Sequence, residues 1–158
     1  MFGPMEGLVG CALTVAIPTY RRGEVLLETI GYLLDLATAS VEILVLDQTS
    51  DHPTGIKAAL ERLAEQGRIT WVRLPVPSIP RAMNQGLLRA RGEVVLFVDD
   101  DIRPDASLLS AHLHAQELKP GWIVAGRVLQ PWHRGAWDPA DNGRFAFNTP
   151  GSREVTEF

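Results

Sequence analysis

Apolar positions along this chain fall into two rhythms, short solid runs and longer stretches at helical spacing. The clearest run is Val94-Val95-Leu96-Phe97-Val98, which predicts a strand buried on both faces, as in a parallel sheet. Similar runs predict strands over residues 12–17, 41–46, 69–74 and 122–128, the first of them stopped by Pro18. Between them, Val25, Leu26, Ile30, Leu33, Leu34 and Ala37 predict a helix from Glu24 onward. Ile56, Leu60 and Leu63 predict a second helix over 55–66, ended by Gly67. A third, over 81–90, follows a loop punctuated by Pro75, Pro77 and Pro80, and Arg91-Gly92 closes it. Pro104 stands near the start of a fourth, continued by Leu108, Leu109 and Leu113. Beyond Gln130 the periodicity fades into a tail with at most one short strand, near 145–147. Strands alternating with helices predict an α/β fold with a mostly parallel sheet and right-handed crossovers.

Length and composition narrow this picture. The 158 residues make one domain's worth of chain, with a core over 11–130 and a loop-rich tail over 131–158. With 15 basic and 19 acidic residues the formal charge is -4, so no nucleic-acid partner is expected. The single cysteine, Cys11, excludes an intrachain disulfide and a multi-cysteine zinc site. A membrane span needs about 20 apolar residues; the stretch 8–17 is too short, and no basic segment precedes it. The expected location is cytoplasmic, with any peripheral membrane association left to regions outside this chain.

Candidate chemistry gathers where the predicted strands end. Asp99, Asp100 and Asp101 leave the central strand at its carboxyl end, where open α/β sheets bind ligands. In an extended stretch Asp99 and Asp101 point to one side and Asp100 to the other. That arrangement suits a hard divalent cation that shares its remaining positions with a phosphate. It equally suits a solvated acidic turn before a helix. Pro18, Thr19 and Tyr20 end the first strand, Asp47 ends the second, and Arg81 and Asn84 follow the third. A nucleoside diphosphate can use such a set. Tyr20 offers a ring face to a base, Asp47 accepts a base N–H, and Arg81 pairs with phosphate. Singly, each has an ordinary alternative: a packed turn residue, a turn cap, a solvated helix residue. No G-x-G-x-x-G or G-x-x-x-x-G-K-[ST] motif is present, and His52, His112, His114 and His133 form no H-E-x-x-H pair. Ser78 has no triad context. Trp132 and Trp137 suit either a sugar site or ordinary packing.

Four segments together resemble a known family. Val15-Ala16-Ile17-Pro18-Thr19-Tyr20-Arg21-Arg22 and Val45-Leu46-Asp47-Gln48-Thr49-Ser50 are similar to the opening of family-2 glycosyltransferases of the GT-A fold. Pro80-Arg81-Ala82-Met83-Asn84-Gln85-Gly86-Leu87 resembles their A-R-N-x-G helix start, and Phe97-Val98-Asp99-Asp100-Asp101-Ile102-Arg103-Pro104 their DxD motif. The blocks occur in family order and cover about residues 12–130. The resemblance implies a Rossmann-like three-layer sandwich, a nucleotide-diphosphate sugar donor such as a UDP-sugar, Mn2+ or Mg2+, and inversion at the anomeric carbon. The acceptor it implies is a hydroxyl on a carbohydrate, lipid or other molecule, as in polysaccharide biosynthesis. By position, Pro18, Thr19 and Tyr20 would border the base, Asp47 would bind its N–H, and Arg81 would lie near base and phosphate with Asn84 supporting that loop. Asp99 would face the ribose or metal-bound water, Asp101 would ligate the metal, and Asp100 is the variable middle position. Asp47-Gln48 departs from the commoner Asp-Asp pair. Family members usually continue to an acid that deprotonates the acceptor. This chain ends at Thr156-Glu157-Phe158, so the reading is a donor-binding part whose catalytic base is unassigned. Asp138, Asp141, Glu154 and Glu157 are candidates only by default. Two rivals remain: a module that binds nucleotide sugar without turnover, and a nucleotidyltransferase, whose Gly-rich basic loop after the first strand is missing here.

Overall fold

Pairing of the apolar runs builds one all-parallel sheet. In the computed structural model, which describes residues 10–128, β1 (Leu13–Thr19), β2 (Val41–Asp47), β3 (Thr70–Arg73) and β4 (Val94–Phe97) stand in the order β3-β2-β1-β4. The register runs from Leu13↔Val41 to Thr19↔Asp47, from Leu13↔Val94 to Ala16↔Phe97, and from Leu44↔Thr70 to Asp47↔Arg73. Four helices follow the strands: α1 (Gly23–Leu36), α2 (Thr54–Glu65), α3 (Ile79–Arg89) and α4 (Leu108–Leu118). The residues divide into two compact units between Leu109 and Ser110. All four strands belong to the first.

Successive side chains of a strand face opposite sides, and both sides of this sheet are covered. On one side Ala16, Leu44 and Leu46 pack with Leu74 and with Ala82 of α3, joined by Val72, Val95 and Phe97. Gly86 lets α3 sit close. A Cβ there would lie 2.9 Å from the Phe97 ring and 3.0 Å from Leu46 Cδ1. The opposite side buries Val15, Ile17 and Val45. Leu26, Ile30 and Leu33, at helical spacing on α1, and Leu60 of α2 are the buried apolar residues of the helices there. The chain steps outward from β1 to β2 to β3 and then returns across the sheet to β4. Right-handed crossovers therefore put α3 on the face opposite α1 and α2. The result is the expected three-layer α/β sandwich.

Four elements depart from the sequence expectation by two residues or more, among them α4, which begins at Leu108 and not near Pro104. β1 continues through Pro18 to Thr19. Successive residues of a parallel strand bond to opposite neighbours, and the Thr19 carbonyl accepts from the Gln48 N–H on the β2 side. Pro18 therefore faces β4, whose ladder has already ended at Ala16↔Phe97, and its missing N–H breaks nothing. α3 begins at Ile79 rather than 81, because Ser78 caps it and proline is tolerated in the first turn. Residues 122–128 are not a strand: they make no ladder among the described residues, and Ile123 is 97% exposed. The expected strand near 145–147, the two late tryptophans and the default acids of the tail lie outside the described residues.

A polar cluster holds the amino-terminal end of the sheet. Glu42, buried on β2, accepts from the Thr14 hydroxyl (2.7 Å), the Thr70 hydroxyl (3.0 Å), and the Arg91 N–H (2.9 Å) and Nε (2.8 Å). Burial pushes its carboxyl pKa up, but the hydrogen bonds and the Arg91 charge outweigh that and hold it below the usual value. The Thr14 hydroxyl in turn accepts from the Gly92 N–H at 2.8 Å. A Cβ at Gly92 would collide with the backbone of Leu13 and Thr14, so the turn into β4 needs glycine there.

Candidate functional site

Because every strand is parallel, the carboxyl ends of all four lie along one edge, where the sequence places its unusual polar residues. The order in which strands are added reverses between β1 and β4, and in open α/β sheets ligands bind where such a reversal makes the connections diverge. The acidic run follows β4 at this position of the edge. Val98 makes the last backbone bond of β4's edge, donating to the Ala16 carbonyl at 3.1 Å, and Asp99–Asp101 then leave the sheet.

Within that run the three carboxylates part. Asp100 is buried, and its Oδ2 accepts from the Thr19 hydroxyl at 2.6 Å, the length of a charge-assisted bond. Thr29, the one buried polar side chain of α1, donates to the Asp100 carbonyl at 2.9 Å and lies 3.2 Å from that of Ile102. Asp99 and Asp101 remain exposed. Asp101 Oδ2 meets Arg22 Nη2 at 3.2 Å, a pair about half exposed on both sides. Water screens such a pair, so it is readily exchanged for another partner.

Among the described residues no group of three or more His, Cys, Asp or Glu side chains converges to hold a metal ion. A pair of exposed carboxylates nevertheless has the oxygen chemistry Mg2+ and Mn2+ use when a ligand's phosphates complete the shell. Asp99 and Asp101 are thus a fitting donor set.

The end of β2 is built differently. Asp47 has no exposed side-chain surface. Its Oδ1 accepts from the Thr49 N–H at 2.9 Å, while Oδ2 accepts from Trp71 Nε1 at 3.0 Å and pairs with His52 Nε2 at 2.6 Å. Three donors leave the carboxylate one of its roughly four acceptor positions. Gln48 is also buried. Its Oε1 accepts from the Ser78 N–H and its Nε2 donates to the Thr19 carbonyl at 3.4 Å, tying the proline loop before α3 to the end of β1. The amide at the position departing from Asp-Asp is therefore a crosslink.

Along the same edge stand the exposed candidates. Tyr20 is 41% exposed, with the Arg21 guanidinium 5.0 Å from its ring centroid. Arg21 has φ 59°, a conformation costing a non-glycine residue roughly 1–2 kcal/mol, and its N–H donates to Thr49 Oγ1 at 2.9 Å. The turn after β1 is thus held against the turn after β2. Arg81 and Asn84 are exposed on the first turns of α3.

The structure joins Thr19 directly to Asp100 and, through Gln48, to the loop before α3. Among the described residues, the Arg81 and Asn84 side chains make no direct bond to the acidic run. Thr29, His52, Trp71 and Arg22 are not among the site residues that the sequence marks. His52 lies only five positions after Asp47, which is a weak local signal. Trp71 reaches Asp47 because the β2–β3 register puts it on the same face, two residues before Asp47's partner Arg73. Thr29 carries the one legible sign, a hydroxyl on the apolar face of a helix.

Comparison with known proteins bears on this geometry. The family profile described as Glycosyl transferase family 2 matches residues 14–156. No curated protein matches the chain. Among solved structures, a mannosyltransferase from Pyrobaculum calidifontis in complex with GDP-Man and Mn2+ is 24% identical, with TM-score 0.58, over 78% of this chain and 36% of that one. Glucosyl-3-phosphoglycerate synthase from Mycobacterium tuberculosis, in complex with Mn2+, UDP and glucosyl-3-phosphoglycerate, is 23% identical, with TM-score 0.55, over 75% of this chain and 44% of that one. S. aureus TarS 1-349 in complex with UDP-GlcNAc is 22% identical, with TM-score 0.55, over 75% and 37%. The chain therefore spans less than half the length of each of these structures, and the likeness is one of fold. No helix among the described residues is long and apolar enough to cross a membrane.

Proposed function

The chain belongs to glycosyl transferase family 2, and we propose that it forms the donor-binding part of an inverting glycosyltransferase. It takes a nucleotide-diphosphate sugar, a UDP-sugar in the first instance, for transfer to an acceptor hydroxyl. One observation carries this reading. At the reversal between β1 and β4, Asp100 is tied inward by Thr19 and Thr29 while Asp99 and Asp101 stay exposed, as a site for a diphosphate and its cation requires. The Mn2+ and nucleotide held by the P. calidifontis and M. tuberculosis enzymes support it.

In this reading each residue of the edge has a part. Pro18 and Thr19 border the base, and Tyr20 offers it a ring face. Asp47, buried in this structure, accepts a base N–H on its remaining acceptor position once the turn after β2 opens to the nucleotide. Arg81, at the start of α3, pairs with phosphate, with Asn84 supporting that loop. Asp100 stands behind the nucleotide, its carboxylate held by Thr19. Asp101 holds Mn2+ or Mg2+, with Asp99 toward the ribose or the metal's water. When bound, the cation neutralises the charge growing on the departing diphosphate. In direct displacement the acceptor oxygen attacks the anomeric carbon from the face opposite that leaving group, inverting it, while a base removes the hydroxyl proton. No described residue is assigned as that base.

Calorimetric titration with UDP, in Mn2+ and in EDTA, tests the proposal. Binding that strengthens with Mn2+ is expected. Failure of UDP, GDP and dTDP alike to bind a chain that shows a cooperative thermal melt would overturn it.

A further inference from the structure

Three adjacent carboxylates repel one another, and nothing in a loop's own sequence decides which of them turn outward. Here two hydroxyls on separate elements decide it. Thr19, at the end of β1, donates to the Asp100 carboxylate, and Thr29, mid-way along α1, donates to the Asp100 carbonyl and lies within reach of the Ile102 carbonyl. Both threonines are buried, at 2% and 1% exposure. A helical threonine commonly turns its hydroxyl back to its own helix; this one reaches the loop instead. Charge on the middle acid is met by a hydroxyl, and the backbone on either side of Asp101 is pinned. The flanking carboxylates are then left on the open side.

We infer that Thr29 and Thr19 are positioning residues for the cation: they hold Asp100 inward so that Asp99 and Asp101 face the open side together. Thr29 touches neither the cation nor the donor in this role, whereas Thr19 also borders the base. The inference rests on the donor-site reading above and adds to it a device that no motif marks, since Thr29 lies on a helix away from all four sequence blocks.

The test compares UDP affinity in Mn2+ with that in EDTA for wild type, Thr29→Val, Thr29→Ser and Thr19→Val, each first checked for a cooperative melt. In wild type Mn2+ is expected to tighten binding about tenfold, the scale of a charge-assisted contact. In Thr29→Val the enhancement is expected to fall to about twofold or less while the EDTA affinity stays within about twofold of wild type. Thr29→Ser, which keeps the hydroxyl, should restore the enhancement. A general loss of structure would weaken both conditions together. Should Thr29→Val fail to fold, Thr29→Ala, which also removes the hydroxyl, takes its place; for Thr19→Val, which borders the base, only the ratio of Mn2+ to EDTA affinity is read. Full Mn2+ enhancement in the folded valine or alanine variants overturns this inference and leaves the donor site standing. A wild-type chain that binds UDP without any Mn2+ effect removes the cation and this inference together. A wild type that binds no nucleotide overturns the donor site as well.

Discussion

The two ends of the sheet treat carboxylates in opposite ways. At the amino end Glu42 is buried among four donors from β1, β3 and the turn into β4, and its pKa is held below the usual range. At the carboxyl end Asp99 and Asp101 stand in water, and the Arg22–Asp101 ion pair is half exposed. A buried charge with its partners supplied by the protein is a joint, and removing a partner leaves unmet polar groups. An exposed carboxylate at the edge contributes little to stability and remains available to a ligand. The carboxyl end also contains joints of its own, at Asp100 and Asp47, so the contrast runs within the site too.

Glu42→Gln should break the amino-terminal joint with the largest effect, a loss of about 2–4 kcal/mol of unfolding free energy measured in urea at pH 7. Its pH dependence sharpens the point. A folded-state pKa below the ordinary 4.5 means the stabilisation is present above that value and is lost as pH falls through the folded pKa. Melting temperatures of wild type and Glu42→Gln should therefore converge in acid and diverge toward neutrality. An unchanged gap between them across pH 3 to 7 would count against the assignment.

Asp101→Ala and Asp99→Ala should give the reverse pattern. Stability should stay within about 0.5 kcal/mol, as for other exposed positions. UDP affinity in Mn2+ should fall about tenfold, to near its value in EDTA. Retention of Mn2+ enhancement in both variants would remove these acids from the cation site. Smallest of all, Arg22→Gln should leave the melt within a degree or two and lower the Mn2+ concentration for half-maximal enhancement about twofold, because the displaced partner was a screened surface pair. Isothermal titration across Mn2+ concentrations reads this; a higher requirement would mean that Arg22 assists binding instead of competing.

Much of the fold was legible because its signals are local. The run at 94–98 is apolar and largely β-branched, that at 41–46 is apolar but for Glu42, and a parallel sheet covered on both faces needs such runs. The helical spacing of Leu26, Ile30 and Leu33 likewise needs no partner to be recognised. Pro18 misled because a proline ends a strand only where its N–H is needed, and that depends on how far the neighbouring strand extends. The run at 122–128 misled for a related reason: apolar residues make a strand only beside another strand.

The candidate site was legible in its contiguous parts, the triple aspartate and the residues just beyond each strand. Its supports were not. Trp71 meets Asp47 only through the β2–β3 register, and Gln48 links two loops that are 30 positions apart. Thr29 finds its carbonyls 71 and 73 positions away.

By itself, then, the sequence determined the four strands and four helices of the sandwich though not the fate of 122–128, that the strands run parallel, and so that the polar residues after them share an edge. Those outcomes follow from side-chain periodicity and from the short reach of the connections. Only the tertiary structure decided that strand order reverses between β1 and β4, that Glu42 is a joint, and that Asp100 turns inward while its neighbours turn out. Those depend on hydrogen-bond partners brought together by register and packing. A carboxylate's role is set by the donors around it, which its own position in the chain does not reveal.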